Sequence, residues 1–244
     1  MRLNTIVLAI AAFTSFCATS AQAATELVKN GGFETSTGVG QFDHTVTISD
    51  WSSKGYNFLF GATGADSAGV QGEYGNLSLW GANNGGAKAL ASSGNGGQFV
   101  AADGAYGVAA VTQTINGLTA GKKYTLNFEW AAAQQQGFDG ATTEQWLVNL
   151  GSNAATTQAT SVYHNANHSS SSWMQETMTF TAAGSSQVLS FLAVGTPEGK
   201  PPFSLLDGVS MVAEVPEPSE WAMLFAGLGL MGFMARRRRQ NDAA

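Results

Sequence analysis

Two kinds of side chain in this sequence are set where they could do chemistry: tryptophans among amides, and a carboxylate inside an apolar run. Trp80 stands near Asn76, Asn83 and Asn84, and Trp146 follows Gln134, Gln135, Gln136 and Asp139. A flat indole face packs against the apolar C–H face of a sugar ring, while nearby amides and carboxylates take the hydroxyl hydrogen bonds. Trp80, Trp146, Asn83 and Gln135 are therefore the candidate sugar-contacting residues. The competing reading makes these tryptophans core, as the alternation around Trp130 makes that residue. The carboxylate is Asp207, which in an unbroken strand shares a face with Val209, Met211 and Ala213. A buried anion needs a partner. A bulge at Gly208 would instead turn Asp207 the other way.

Catalytic signals are sparse. His164 and His168 have the four-residue spacing of a zinc-binding helix face, but they stand with Asn165, Ala166, Asn167, Ser169 and Ser170 in a polar run that reads as loop; His44 is the third histidine. Glycoside hydrolysis needs two carboxyl groups about 5 to 10 Å apart. Glu129, Asp139, Glu144 and Glu176 offer such groups without marking out a pair, and the sequence has neither a G-x-S-x-G elbow nor a complete phosphate-binding loop. The expectation is a protein that is not an enzyme, with a polysaccharide-active hydrolase as a minor alternative.

The elements that would position these residues are strands. From Lys123 to Trp130 every even position is apolar or aromatic and every odd one polar, the period of a strand with one buried face. Asn116-Gly117 and Ala120-Gly121 mark the turns before it. Further strands are expected at Glu26 to Val28, Thr45 to Ile48, Leu77 to Trp80, Tyr106 to Ile115, Gln145 to Leu150, Thr157 to Tyr163, Met174 to Thr181, Gln187 to Val194 and Val209 to Ala213. Short strands separated by Gly, Asn and Ser loops imply an all-β fold, two antiparallel sheets packed as a sandwich or jelly roll. Residues 61–97, rich in Gly, Asn, Ser and Ala, are too long for a plain connection and read as a binding rim or a flap.

Both ends carry addresses. Ile6 to Phe16 is an apolar run after Arg2, and Ala21-Gln22-Ala23 is a small-x-small cleavage site, so residues 1–23 read as a secretory signal peptide. The one cysteine, Cys17, lies inside it, and Phe16 before it is too large for lipoprotein processing. Residues 24–214 read as one domain with six lysines, no arginine and fourteen carboxylates. That balance excludes nucleic acid, which needs a basic surface. In the tail, Pro216-Glu217-Pro218 precedes an uncharged stretch from Trp221 to Ala235 and then Arg236, Arg237, Arg238 and Arg239. The arginines would hold the end on the cytoplasmic side. Fifteen helical residues reach about 22 Å, short of a hydrocarbon core of about 30 Å.

This order of tripeptide, short apolar helix and arginine block closely resembles the PEP-CTERM sorting signal of Gram-negative bacteria, here residues 215–244. The resemblance implies recognition by an exosortase-type membrane enzyme, export across the inner membrane, transient anchoring by the C-terminal helix, and delivery to the cell surface, outer envelope or matrix alongside exopolysaccharide. An ordinary retained anchor is the alternative. Within the domain, Leu27 to Glu34, Trp51, Leu118 to Tyr124 and Phe203 to Met211 together resemble galactose-binding-like jelly rolls and carbohydrate-binding modules. The resemblance implies one structural calcium, held by Glu34, Asp207 and carbonyls at Asn30 and Gly31, with Asp43 or Asp50 as further acids. Gly208 stands where many relatives have a second acid. The function expected is a surface or matrix protein that contacts glycans without catalysis and associates with exopolysaccharide or biofilm; a dedicated carbohydrate-binding module with a defined glycan is the alternative.

Overall fold

The computed structural model describes residues 25–214 and 227–231. The expected signal peptide, Pro216, Glu217 and Pro218, and Arg236 to Arg239 lie outside the described residues. Of the expected apolar helix, residues 227–231 are helical and exposed. Among the described residues no helix is long and apolar enough to cross a membrane.

The strands are β1 (Gly40–Gln41), β2 (Asn57–Phe60), β3 (Val70–Gly72), β4 (Gly75–Leu77), β5 (Phe99–Asp103), β6 (Val111–Asn116) and β7 (Lys123–Gln134), followed by β8 (Thr142–Leu150), β9 (Gln158–Ala159), β10 (Tyr163–Asn165), β11 (Met174–Thr181), β12 (Ser186–Thr196) and β13 (Pro202–Ala213). One sheet has the order β1-β2-β5-β13-β7-β11 and the other β10-β8-β12-β6, with β9 beside β8. Every strand pair in them is antiparallel. This is the expected all-β jelly-roll sandwich.

The alternation in β7 places Tyr124, Leu126, Phe128 and Trp130 in the core between the sheets, where they meet Trp146, Val148, Leu150, Leu189 and Phe191 from the other sheet. Burying each such side chain contributes about 1.5–3 kcal/mol. A second apolar cluster lies on the outer face of the six-stranded sheet. Phe58, Phe60, Phe99, Ala131, Ala133, Phe203 and Leu205 are covered there by Ala65, Val70, Leu77 and Leu79. Residues 61–97 are thus neither rim alone nor flap but a lid with its own core. Its β3–β4 hairpin is a separate two-stranded sheet, and Trp173 latches the lid by donating from Nε1 to the Ala91 carbonyl at 2.8 Å.

The lid explains which strands the sequence hid. β2 and β5 are buried at every position, so both faces are apolar and no alternation shows. The same cover extends β13 back to Pro202 and β7 on to Gln134. Elsewhere the expected strands are trimmed. Thr45 to Ile48 and Glu26 to Val28 reduce to isolated bridges. Of Tyr106 to Ile115, the part from Tyr106 to Ala110 lies ahead of β6, which starts at Val111. Leu77 closes β4, and Thr157 to Tyr163 divides between β9 and β10.

The two ends of the sandwich differ. At one end Glu26 bridges Val212, the Leu27 amide donates to the Met211 carbonyl, and the Glu214 amide donates to the Lys123 carbonyl. The first described residues and the point where the tail departs therefore lie together. At the other, distal end come Asp103, Gln134, Thr142, Thr196 and Pro202, the strand termini facing the opposite way. Gly104 stitches the sheets there: its amide reaches the Pro202 carbonyl at 2.9 Å and its carbonyl takes the Gly195 amide at 2.9 Å. A Cβ at Gly104 would collide with the Gly195 nitrogen, so no larger residue fits without parting the strands.

Candidate functional site

At the distal end the lid leaves β4 and runs beside the end of β7. Leu79 bridges Gln135, and the Trp80 amide donates to the Gln134 carbonyl at 2.8 Å. The Trp80 indole is half-buried and its Nε1 donates to the Phe138 carbonyl at 3.0 Å. The imidazole of His168 stacks on it, centroids 4.0 Å apart and planes 30° from parallel. His168 is held in turn: its amide donates to Gln134 Oε1 at 3.0 Å, and its Nε2 lies 2.5 Å from Asp139 Oδ1. It sits at φ 55°, a left-handed conformation uncommon for a residue with a side chain. Asp139 is 85% exposed. The result is a ledge of Trp80, His168 and Asp139 that offers aromatic surface and carboxylate at one place; Gln135, bridged to Leu79 while Trp80 lies opposite Gln134, is one residue out of step with the ring.

The other two expected contact residues are placed differently. Trp146 is fully buried: it projects inward from β8, its Nε1 donates to the Leu205 carbonyl at 3.1 Å, and its ring meets Phe191 edge-on. The strand period that puts Glu144, Trp146 and Val148 on one inward face overrides the polar company it keeps in sequence. Asn83 is exposed but engaged, giving its amide and its Nδ2 to the two carboxylate oxygens of the buried Asp66. Those bonds brace the lid internally. His168 lies in a loop, as expected, and His164 sits on the short strand β10; their spacing does not fall on a helix.

Asp207 follows the bulge. The ladder between β13 and β7 shifts register between Asp207 and Ser210, with Gly208 at φ 59°. Leu205 therefore packs in the outer cluster, Val209 and Met211 in the inner one, and Asp207 stands opposite Glu129 on the outer side. The shared face expected from an unbroken strand is thus corrected by one glycine. The segment Ser93 to Gln98 folds over these acids. Ser93 Oγ and Asn95 Nδ2 donate to Asp207, the Gly94 amide to Glu129, and the Gln98 amide to Glu34. Burial raises the Asp207 carboxyl to about 6 against these donors. The other expected calcium ligands are engaged too: the Gly31 carbonyl takes the Val209 amide, and the Asn30 carbonyl takes the Phe33 amide and Trp51 Nε1. Among the described residues no group of three or more His, Cys, Asp or Glu is disposed to hold a metal ion. Calcium takes six to eight oxygen ligands, more than Glu34, Asp207 and the two carbonyls supply by themselves.

The remaining carboxylates stand apart from one another. Glu129 lies under the 93–98 segment, Asp139 on the ledge, Glu176 on β11 and Glu144 inside the sandwich. Glu144 has no exposed surface, and burial pushes its carboxyl up to about 8. Thr142 Oγ1 donates to one of its oxygens; Glu144 Oε2, Asn165 Oδ1 and Ser170 Oγ have no partner among the described residues.

Sequence reasoning passed over one surface. Tyr56, Tyr74 and Tyr106 meet at the distal end, brought there by the residue before β2, the β3–β4 turn and the loop after β5. Tyr74 and Tyr106 are 66% and 53% exposed and their hydroxyls are 3.1 Å apart. That hydrogen bond is the main reason the Tyr74 phenol is raised to about 12. The buried carboxylate of Asp103 takes the Ala105 and Tyr106 amides and fixes the loop. No local pattern brings three tyrosines from three loops together, so the sequence held no signal for them.

Residues 214–239 match the family model described as the PEP-CTERM protein-sorting motif. No curated protein sequence matches the chain. Among solved structures, a cyclase from Fischerella sp. TAU, determined with 4-(1H-indol-3-yl)butan-2-one, aligns at TM-score 0.51 and 16% identity over 80% of this chain and 100% of that one. The CBM22-1 xylan-binding domain of a Paenibacillus barcinonensis protein aligns at 0.40 and 11% identity over 80% and 97%. TmCBM61, determined with β-1,4-galactotriose, aligns at 0.38 and 14% over 78% and 100%. At these identities the likeness speaks for the fold alone.

Proposed function

We propose that this is an exported surface or matrix protein, delivered through its PEP-CTERM motif, whose jelly roll contacts extracellular polysaccharide without chemical turnover. The observation that carries the reading is the ledge of Trp80, His168 and Asp139 at the end of the sandwich opposite the departure of the tail. A chain held at its tail presents that end outward. The ledge combines the apolar ring and the exposed hydrogen-bonding groups that sugar recognition uses; its one carboxylate, Asp139, faces His168, and the facing carboxylates Asp207 and Glu129 lie apart from it under the 93–98 segment.

The test is binding of the full exported chain, in mild detergent, to a panel comprising xylan, β-1,4-galactan and the exopolysaccharide of the producing cells. Saturable binding that free oligosaccharide competes away, and that Trp80→Ala weakens about tenfold or more, is the expected result. A folded sample that binds none of these glycans would overturn the reading.

A further inference from the structure

The tyrosine cluster is an aromatic surface that no packing requirement explains. Tyr56 packs edge-on to Phe58, centroids 4.7 Å apart, and so belongs partly to the outer core. Tyr106 stands edge-on to Tyr56 at 5.4 Å, and Tyr74 is tilted against Tyr56 at 5.9 Å and edge-on to Tyr106 at 6.3 Å. With centroids 5.4–6.3 Å apart, the three rings form one aromatic platform. Tyr74 and Tyr106 are held at their hydroxyls and backed through Tyr56 by the outer core, and more than half of each is exposed.

Position adds a second argument. Tyr56 precedes β2, whose Asn57 pairs with Ala102 of β5; Asp103 of β5 pairs with Phe203 of β13, which pairs with Ala133 of β7, just before Gln134 and the ledge. Three strand spacings of about 4.8 Å separate the platform from the ledge, about 14 Å along one rim. The same lid supplies Tyr74 to one station and Trp80 to the other. Both lie on the end of the sandwich remote from the tail.

We propose that Tyr56, Tyr74 and Tyr106 are a second aromatic station for the same glycan, so that the ligand is an extended polysaccharide lying along the rim and not a single terminal sugar. Resting on the glycan-contact reading above, the inference adds a length requirement. Two linked weak contacts gain through effective concentration only when one ligand spans both, whereas a short oligosaccharide occupies one station at a time.

The experiment measures affinity of the full chain for whichever panel polysaccharide it binds, and for oligosaccharides cut from it in increasing length. Tyr74→Ala/Tyr106→Ala should weaken binding of the polymer about tenfold or more and leave binding of the shortest bound oligosaccharide unchanged, while Trp80→Ala weakens both. Tyr74→Phe/Tyr106→Phe keeps the rings and should keep most of the affinity. Because both tyrosines are largely exposed, the alanine pair should retain the wild-type fold, checked by near-ultraviolet circular dichroism. If polymer binding is lost in Trp80→Ala but unaffected in the tyrosine pair, or affinity does not rise with chain length, the second station is refuted and the glycan-contact reading survives. If no panel glycan binds, both fall together.

Discussion

Raising the pH should destabilise this protein through one carboxyl that the fold keeps out of water. Glu144 is fully buried and burial lifts its carboxyl from the ordinary 4.5 to about 8. The folded protein therefore holds this proton more tightly than the unfolded chain does. Its contribution is fully present below about pH 4.5, shrinks as the pH rises, and is gone once the folded carboxyl ionises near pH 8. Asp103 and Asp207, also raised by burial but only to about 6, add their own losses at lower pH. Above that, Glu144 is the one of the three still losing ground. One proton is worth about 1.4 kcal/mol per pH unit, so the loss from about pH 6.5 to about pH 8 is about 2 kcal/mol. For a domain of this size that corresponds to a fall in Tm of roughly 4–8 °C. The assay is urea or thermal unfolding at closely spaced pH values for the wild type and for Glu144→Gln, which keeps the shape and removes the titration. The variant should lose the slope and be the more stable protein at pH 8. A wild-type curve flat across this window, or an equal slope in Glu144→Gln, would show that the carboxyl is already ionised in the fold and would refute the reasoning.

Trp146→Ala should cost about 3–5 kcal/mol of stability in chemical denaturation, the penalty for emptying a large core site; a shift well under 1 kcal/mol would mean that the ring is not in the core at all. Gly208→Ala places a side chain at φ 59° with its Cβ 3.4 Å from Asn95 Cβ, and should cost about 1–2 kcal/mol together with faster hydrogen exchange at the Gly94 and Asn95 amides that face Glu129. Unchanged stability and exchange would show that the bulge does not need glycine.

How far the sequence could be read depended on how many faces of each strand are covered. β7 up to Trp130 and β11 advertise themselves because one face meets the core and the other meets water. Asn57-Phe58-Leu59-Phe60 and Phe99 to Asp103 could not, because the lid buries the second face and erases the alternation. The lid itself is visible as a segment too long for a connection, but its core of Ala65, Val70, Leu77 and Leu79 is spread over residues with no regular period. The same limit governs the site. Trp80 stands out by its amide neighbours, but the residue opposite it is Gln134, while Gln135 pairs with Leu79. His168 and Asp139 join it by tertiary contact alone. Trp146 has equally polar neighbours in sequence, and only the inward parity of β8 tells the two tryptophans apart. For Asp207 a single positive φ at Gly208 reverses the parity argument, a switch that sequence alone leaves open.

The place of β13 has a mechanical consequence. It is an interior strand, laddered to β5 on one side and β7 on the other, and the tail continues directly from its end. Tension applied through the tail runs along the axis of β13 and shears both ladders at once, so many hydrogen bonds share the load before any one yields. A strand on the sheet edge, or one pulled sideways, would unzip bond by bond. On the function proposed above, drag on a polysaccharide held at the distal end would pass through the most resistant direction of the sheet on its way to the tail.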